Sequence, residues 1–333
     1  MLIMEPRWIE ISCPCLPEGV PVPMQQHPTY GAACATLGSS LRYFEMRNHT
    51  GQLLGAAQVL ERPVPLLGRA ALLSRGPVWA ELVPPSVRRG GVLSLLERLK
   101  QDHRIVAATP EPCDGADPLD GSGWLKAVTP CHLARLELSG DAAEMRARQH
   151  GKWRNRLVRA EGAGLEVRQA PMPENPGHWL LMREAEQACA RRYRRLPPTF
   201  TAAWVQQGGK KSARLFTAER DGETVAAMLF LLHGQSATYH VGWSGPEGRR
   251  VGAHNLLLWN AQNWLAARGM RQLDLDLIDT RNTPGIARFK LGSGADVVAL
   301  GATRLSAPGS RFFAVRSRKA GNGALSFGQE ARP

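Results

Sequence analysis

The chain predicts an α/β (α+β) architecture of two similar domains, each a mixed sheet flanked by helices. Three observations carry this: a length of 333 residues, an order of strand and helix patterns that occurs twice, and 43% hydrophobic against 21% charged residues. An average domain needs about 150 residues, so the length leaves room for two. The composition leaves apolar material for a core in each.

In the first half, Arg42 to Met46 reads as a strand, Asn48 to Gly51 as a polar turn and Leu53 to Leu60 as a second strand. In the second half, Arg214 to Glu219, the turn Arg220-Asp221-Gly222 and Val225 to Leu231 repeat that arrangement, so each half holds a β-hairpin. A third strand follows each hairpin, over Ala70 to Val78 and over Ala237 to Trp243. Next comes an amphipathic helix. It is expected over Val87 to Lys100, with Val92, Leu95, Leu96 and Leu99 on one face, and over Ala253 to Arg268, with Leu257, Ala261, Trp264 and Leu265. A short strand closes each series, Ile105 to Ala108 and Leu273 to Leu277.

Amphipathic helices and half-apolar strands must bury one side, which lays the helices on the faces of the sheets. Leu133 to Leu138 alternates like a strand, and Ser139-Gly140-Asp141 supplies a turn and an N-cap. The expected domains are therefore 1–140 and 141–305. Residues 306–333 form the remainder. From Arg304 onward six basic residues face one acidic residue, and a Gly/Ser/Ala-rich run lacks periodicity, so a basic frayed tail is expected.

Lysine and arginine total 42 against 29 acidic residues, a net charge of +13, which favours polyanionic partners. The charge of the folded part gathers in Arg146 to Arg168 and Arg183 to Arg195. A solvated basic face and an anion-binding surface are equal readings of these clusters. The six cysteines include one close pair, Cys13-Pro14-Cys15, which has neither zinc nor redox spacing. Unpaired thiols in a reducing compartment follow.

Met1 to Ile11 carries Glu5 and Glu10 and does not read as a signal peptide. The longest apolar run, Val225 to Leu232, is far below the ~20 residues of a membrane span. A cytoplasmic protein without a transmembrane segment is expected, with association at a membrane surface left open. The histidines show no ligand spacing, so no metal is expected. A Gly-x-Ser-x-Gly elbow is missing, and Gly292-Ser293-Gly294 lacks the rest of a dinucleotide fingerprint.

Several motifs in fixed order resemble one family. His150-Gly151-Lys152-Trp153-Arg154-Asn155-Arg156, continuing to Val167, is similar to the helix, turn and strand that open the second domain of FemABX transferases. Gly269 to Leu275 followed by Gly285-Ile286-Ala287-Arg288-Phe289-Lys290-Leu291-Gly292-Ser293-Gly294 resembles their second signature, and Leu66-Leu67-Gly68 with Arg75-Gly76-Pro77-Val78 resembles a strand of their first domain. The resemblance spans about residues 25 to 305. It implies two tandem GNAT-like domains and transfer of an aminoacyl group from aminoacyl-tRNA to an amine, typically on a peptidoglycan precursor of the cell wall. It departs from the family where Asp276-Leu277 replaces a usual Gly-Gly pair, where Ser293 replaces an aromatic, and where no coiled-coil arm interrupts the second domain. The first two departures fall at the expected cleft, so the substrate is expected to differ.

The chemistry needs a neutral amine attacking an ester or thioester carbonyl, with an oxyanion to stabilise. That task is typically worth ~3 kcal/mol per well-placed donor. Lys290, in the second signature, is the candidate donor, against the reading of an ordinary surface lysine. Asp274, in its short strand, is a candidate to orient the acceptor amine or take its proton, against a structural pairing with an arginine. Tyr239 and Trp243 share one strand face by the period of two and are candidates for substrate contact, with core packing the alternative. Phe289 precedes Lys290 in the signature and is counted with them.

Arg75, Arg192 and Tyr193 are candidates to grip phosphates of a nucleotide-linked acceptor, because guanidinium forks match phosphate oxygens. The string Arg191 to Arg195 equally suits tRNA. Arg249 and Gly252 resemble the place where CoA-using GNAT enzymes hold a pyrophosphate, but His254 replaces a small residue; Asn255 beside them is a further candidate for substrate contact. A turn capping a core helix is the alternative there. No cofactor is expected beyond the co-substrate, aminoacyl-tRNA or else acyl-CoA. A non-catalytic RNA-binding protein of the same fold is the remaining expectation.

Overall fold

The structure is a computed structural model that describes residues 7–191, 193 and 195–310. The first half of the chain runs through β1 (Arg7–Ile11), α1 (Pro28–Thr36), β2 (Ser40–Arg47), β3 (Leu53–Val64), β4 (Gly68–Ser74), β5 (Val78–Trp79), α2 (Pro85–Asp102), β6 (Ile105–Thr109), β7 (Leu125–Val128) and β8 (His132–Glu137). Then follow α3 (Ala142–Ala147), α4 (Gly151–Glu161), β9 (Glu166–Pro171), α5 (Trp179–Arg191), α6 (Pro198–Gly208), β10 (Ala213–Arg220), β11 (Glu223–His233) and β12 (Ser236–Ser244). The chain continues through α7 (Pro246–Val251), α8 (Ala253–Ala266), β13 (Gln272–Leu277), α9 (Pro284–Gly292), β14 (Asp296–Ala299) and β15 (Thr303–Ser306). Most of the expected tail, residues 311–333, lies outside the described residues.

The duplicated order is present in space. One sheet runs β1-β2-β3-β4-β6-β15-β7, with β5 attached to β3; the other, written in the same sense, runs β9-β10-β11-β12-β13-β8-β14. In each, the fourth and fifth strands are parallel and joined through the long amphipathic helix, β4 to β6 through α2 and β12 to β13 through α8. A parallel pair requires such a crossover. The second hairpin turns through Asp221 (φ 52°) and Gly222 (φ 81°), the left-handed pair that a tight two-residue turn demands.

The boundary at residue 140 does not divide the fold. Of the described residues, 7–15, 42–130 and 300–310 gather in one unit, and Leu16–Leu41 with Cys131–Ala299 in the other. The sixth strand of each sheet is exchanged: β8, before residue 140, pairs with β13 and β14, while β15, at the far end, pairs with β6 and β7. A charge pair accompanies each exchanged strand, across the ladder for β8 and to the β6–β7 loop for β15. Arg135 of β8 faces Asp274 of β13, and Arg304 of β15 bonds Asp117 and Asp120 at 3.1 and 3.0 Å.

Within the first unit Val92, Leu95, Leu96 and Leu99 of α2 are buried against Phe44, Val59, Leu73 and Val106 of the sheet. The strand expected over Ala70 to Val78 is interrupted. Arg75 turns to φ 53° and Pro77 has no N–H for a ladder, so pairing stops at Ser74 and resumes as β5 against Gly55 and Ala56 of β3. Within the second unit Leu257, Ala261 and Leu265 of α8 are fully buried against Phe216, Met228 and Phe230. Trp264, at the edge of that stripe, is covered by the guanidinium groups of Arg214 and Arg268 at 4.8 and 3.7 Å from its ring centre. Asp141 caps α3 reciprocally with Glu144, as its sequence position suggests.

Candidate active site

The second unit contains a break between its parallel strands. β12 and β13 pair over Ser236↔Gln272, Ala237↔Leu273 and Thr238↔Asp274. Both strands then bulge. On β12 the register against β11 slips between Tyr239 and Val241, making His240 the extra residue. On β13 two residues, Leu275 and Asp276, stand opposite the single Ala134 of β8. A bulge bends its strand and re-aims its side chains, so two bulges at the level where pairing ends let the strands part.

Asp276 adopts a left-handed backbone (φ 66°), a conformation aspartate tolerates better than most side chains, and it is exposed. Lys290 of α9 is 6% exposed, and its Nζ donates to the Leu277 carbonyl at 2.8 Å. Burial pushes the Lys290 ammonium below the usual lysine range, while the Asp276 carboxylate opposes that shift. Burial likewise raises the Tyr239 phenol, with Glu184 and Asp276 adding in the same direction. It lowers His240 to about 4, which leaves a neutral ring whose Nε2 pairs with Thr201 Oγ1 of α6 at 2.8 Å. A buried cation, an exposed carboxylate, a phenol and an imidazole thus share one electrostatic neighbourhood.

Asp274 is placed differently. It is 5% exposed and paired with Arg135, at 2.7 Å from Nε and 3.4 Å from a terminal nitrogen, which is the structural pairing weighed against its catalytic role. Tyr239 and Trp243 do not share a face, because the extra residue at His240 reverses the alternation. Tyr239 packs on Phe230 (5.8 Å between rings), in line with Phe216 and Trp264 of α8, whereas Trp243 meets Trp179 of α5 edge-on at 5.6 Å. Gly242 is required beside it, since any Cβ there would overlap the Tyr239 ring and hydroxyl.

Phe289 stacks between Trp153 of α4 and His254 of α8, with both ring separations 6.1 Å. Tyr193 folds back on α5, its hydroxyl donating to Glu184 at 2.8 Å and accepting from Gln187 at 3.1 Å. Arg192 lies outside the described residues. Arg75 belongs to the first unit, where its guanidinium pairs with Glu111.

The start of α8 tests the fit of a CoA pyrophosphate. Gly252 (φ 75°) ends α7 and opens α8, and the exposed Arg249 bonds the Ser244 carbonyl. An anion there needs uncovered backbone N–H groups. Ala253 is fully buried, and His254 Nε2 bonds the Trp243 carbonyl at 2.9 Å. The Arg156 carbonyl of α4 lies 3.4 Å from where a Cβ on Gly252 would be. Asn255, 5% exposed, keeps an unpartnered Nδ2 among the described residues. A histidine and a buried asparagine stand at this turn where the acyl-CoA motif carries small residues, so the residues present match that motif only in part. Among the described residues no group of three or more His, Cys, Asp or Glu could hold a metal, and no helix is long and apolar enough to cross a membrane.

Residues 146–291 match the family model described as an acetyltransferase (GNAT) domain. Over these residues the second unit has the GNAT fold. No curated protein matches the chain in sequence. Among solved structures the chain is similar to FemX, with 13% identity and a TM-score of 0.66 over 84% of this chain and 91% of that one. It is also similar to the C-terminal domain assigned to a lysylphosphatidylglycerol synthetase of Agrobacterium fabrum, with 14% identity and a TM-score of 0.50 over 89% and 93% of the two chains. The FemX-like GNAT fold expected from the motifs is the fold this chain adopts. Two residues of the site escaped the sequence reading. His240 gave no signal, and Asp276 was visible only as a departure from a Gly-Gly pair.

Proposed function

We propose that this protein is an acyl-group transferase that moves an aminoacyl group from aminoacyl-tRNA to an amine, with a peptidoglycan precursor as the acceptor that the FemABX resemblance suggests. The observation that carries the reading is the buried Lys290, bonded to the Leu277 carbonyl and within the electrostatic reach of the exposed Asp276, where the bulged β12 and β13 part. One Lys290 N–H is taken by the Leu277 carbonyl, and the remaining two are directed to the oxyanion of the tetrahedral intermediate. Such a donor is typically worth 10²–10³ in turnover. The acceptor nitrogen forms its bond to the ester carbonyl carbon, and the bond from that carbon to the ribose oxygen breaks. Asp276 holds the acceptor amine, takes its proton and returns it to the departing ribose oxygen. An α-amine of pKa near 8 is already partly neutral, so the carboxylate acts mainly by positioning.

The FemABX resemblance supports an ester donor, while the match to an acetyltransferase family model favours CoA as the second reading. Incubating the protein with charged tRNA and a peptidoglycan-precursor amine tests the first. Transfer that persists after ribonuclease treatment of the donor overturns it. Calorimetric titration with CoA tests the second, and no heat at millimolar CoA removes it.

A further inference from the structure

We infer that the tip of the β3–β4 hairpin is an anchor for an anionic lipid surface. The hairpin is paired to its last residues, through Pro63↔Arg69 and Val64↔Gly68, and the Leu67 N–H closes the turn on the Val64 carbonyl at 3.1 Å. At the tip Leu66 is 100% exposed and Leu67 37%. Leu66 also sits at φ 65°, a backbone that disfavours a side chain of its size, although Gly68 beside it supplies left-handed freedom without that penalty. Neither strain nor exposure of Leu66 serves the first unit's own core. Both hold an apolar side chain fully exposed at the tip of a hairpin paired to its last residues.

The chemistry around the tip fits a bilayer interface. The run is Arg62-Pro63-Val64-Pro65-Leu66-Leu67-Gly68-Arg69. Pro63 and Pro65 have no N–H, so a dipping tip leaves fewer backbone donors without water. Arg62 and Arg69, both exposed, flank the apolar residues at the depth of headgroups. The exposed Arg104 immediately precedes β6, whose Ile105 pairs with Ala70, and so adds a third cation to this end of the sheet. Glu61 is shared by His103 at 2.7 Å and Arg69 at 3.2 Å, and Asp102 pairs with Arg42 at 2.8 Å, so Arg62 and Arg104 supply the excess positive charge at this end. Positive charge around an apolar point is complementary to anionic lipid rather than to a neutral bilayer or a second copy of this basic chain. The inference does not depend on the transfer reaction.

The full chain is sedimented with vesicles of phosphatidylglycerol and phosphatidylcholine in equal parts, and with phosphatidylcholine alone. Binding is expected to the first at low salt, weakened tenfold or more by Leu66→Ser with Leu67→Ser and severalfold by Arg62→Gln with Arg69→Gln. Melting temperatures of the leucine variants should be unchanged, since both leucines are exposed. A Leu66→Trp variant should shift its fluorescence to the blue on binding. Absence of wild-type binding overturns the inference, as does binding that the leucine pair leaves unchanged, which would assign it to other basic segments. Loss of self-association in the leucine variant without vesicles, with no effect on vesicle binding, would assign the tip to a protein contact and equally overturn it.

Discussion

Trp153 and Gly292, at opposite ends of the second domain's sequence, form one joint. A Cβ on residue 292 would lie 2.9 Å from Trp153 Cδ1 and 3.2 Å from its Cβ, and the Gly292 carbonyl accepts the His150 N–H at 3.0 Å. The joint fixes α9, and hence Phe289 and Lys290, against α4. Gly292→Ala should therefore cost about 1–3 kcal/mol by overpacking. Gly285→Ala, in the same helix with open space around it, should be neutral or stabilising by up to about 1 kcal/mol. Urea unfolding of the two variants checks the contrast.

Lys290→Ala should lower turnover ~10²–10³-fold, with a smaller effect on KM. Burial holds the folded pKa below the ordinary 10.5, so the alkaline limb of the rate profile should fall below that value. Because folding penalises the charged form, the stability cost is relieved as pH rises from the folded value toward 10.5. Asp276→Asn should move the limb to still lower pH, since the opposing carboxylate is removed. A limb unmoved in that variant would separate Asp276 from Lys290.

Asp276→Gly removes a side chain from a left-handed backbone position. A net gain of up to about 1 kcal/mol is expected, smaller than the strain itself because glycine has more unfolded-state freedom. Turnover should fall at the same time. Thermal unfolding beside initial rates reads both effects.

Asp274 should behave oppositely. Asp274→Asn leaves the half-buried Arg135 without its carboxylate and should destabilise by about 2–3 kcal/mol, with turnover per folded molecule retained. A double-mutant cycle with Arg135→Gln measures the coupling.

His27 and His240 are held neutral by burial, each lowered from 6.5 to about 4. The unfolded chain takes up protons first on acidification. Stability should therefore fall as pH drops from 6.5 to about 4, by up to about 3 kcal/mol for each histidine, and then level off. His240→Asn should flatten part of this slope in unfolding curves between pH 7 and 4.5.

Local periodicity determined much of this protein from sequence alone. The leucine stripe of α2, the hairpin turn at Asp221-Gly222 and the repeated order of strands and helices depend on residues within a few positions of one another. The motifs around Trp153 and Phe289-Lys290 marked the segments that meet in the second domain. The exchange of β8 and β15, the pairing of Asp274 with Arg135 and the bulges at His240 and Asp276 were decided only by the tertiary structure. A bulge exists relative to a partner strand, and a strand's partner is set by pairing and packing across distant sequence, so neither is written in the residues that carry it.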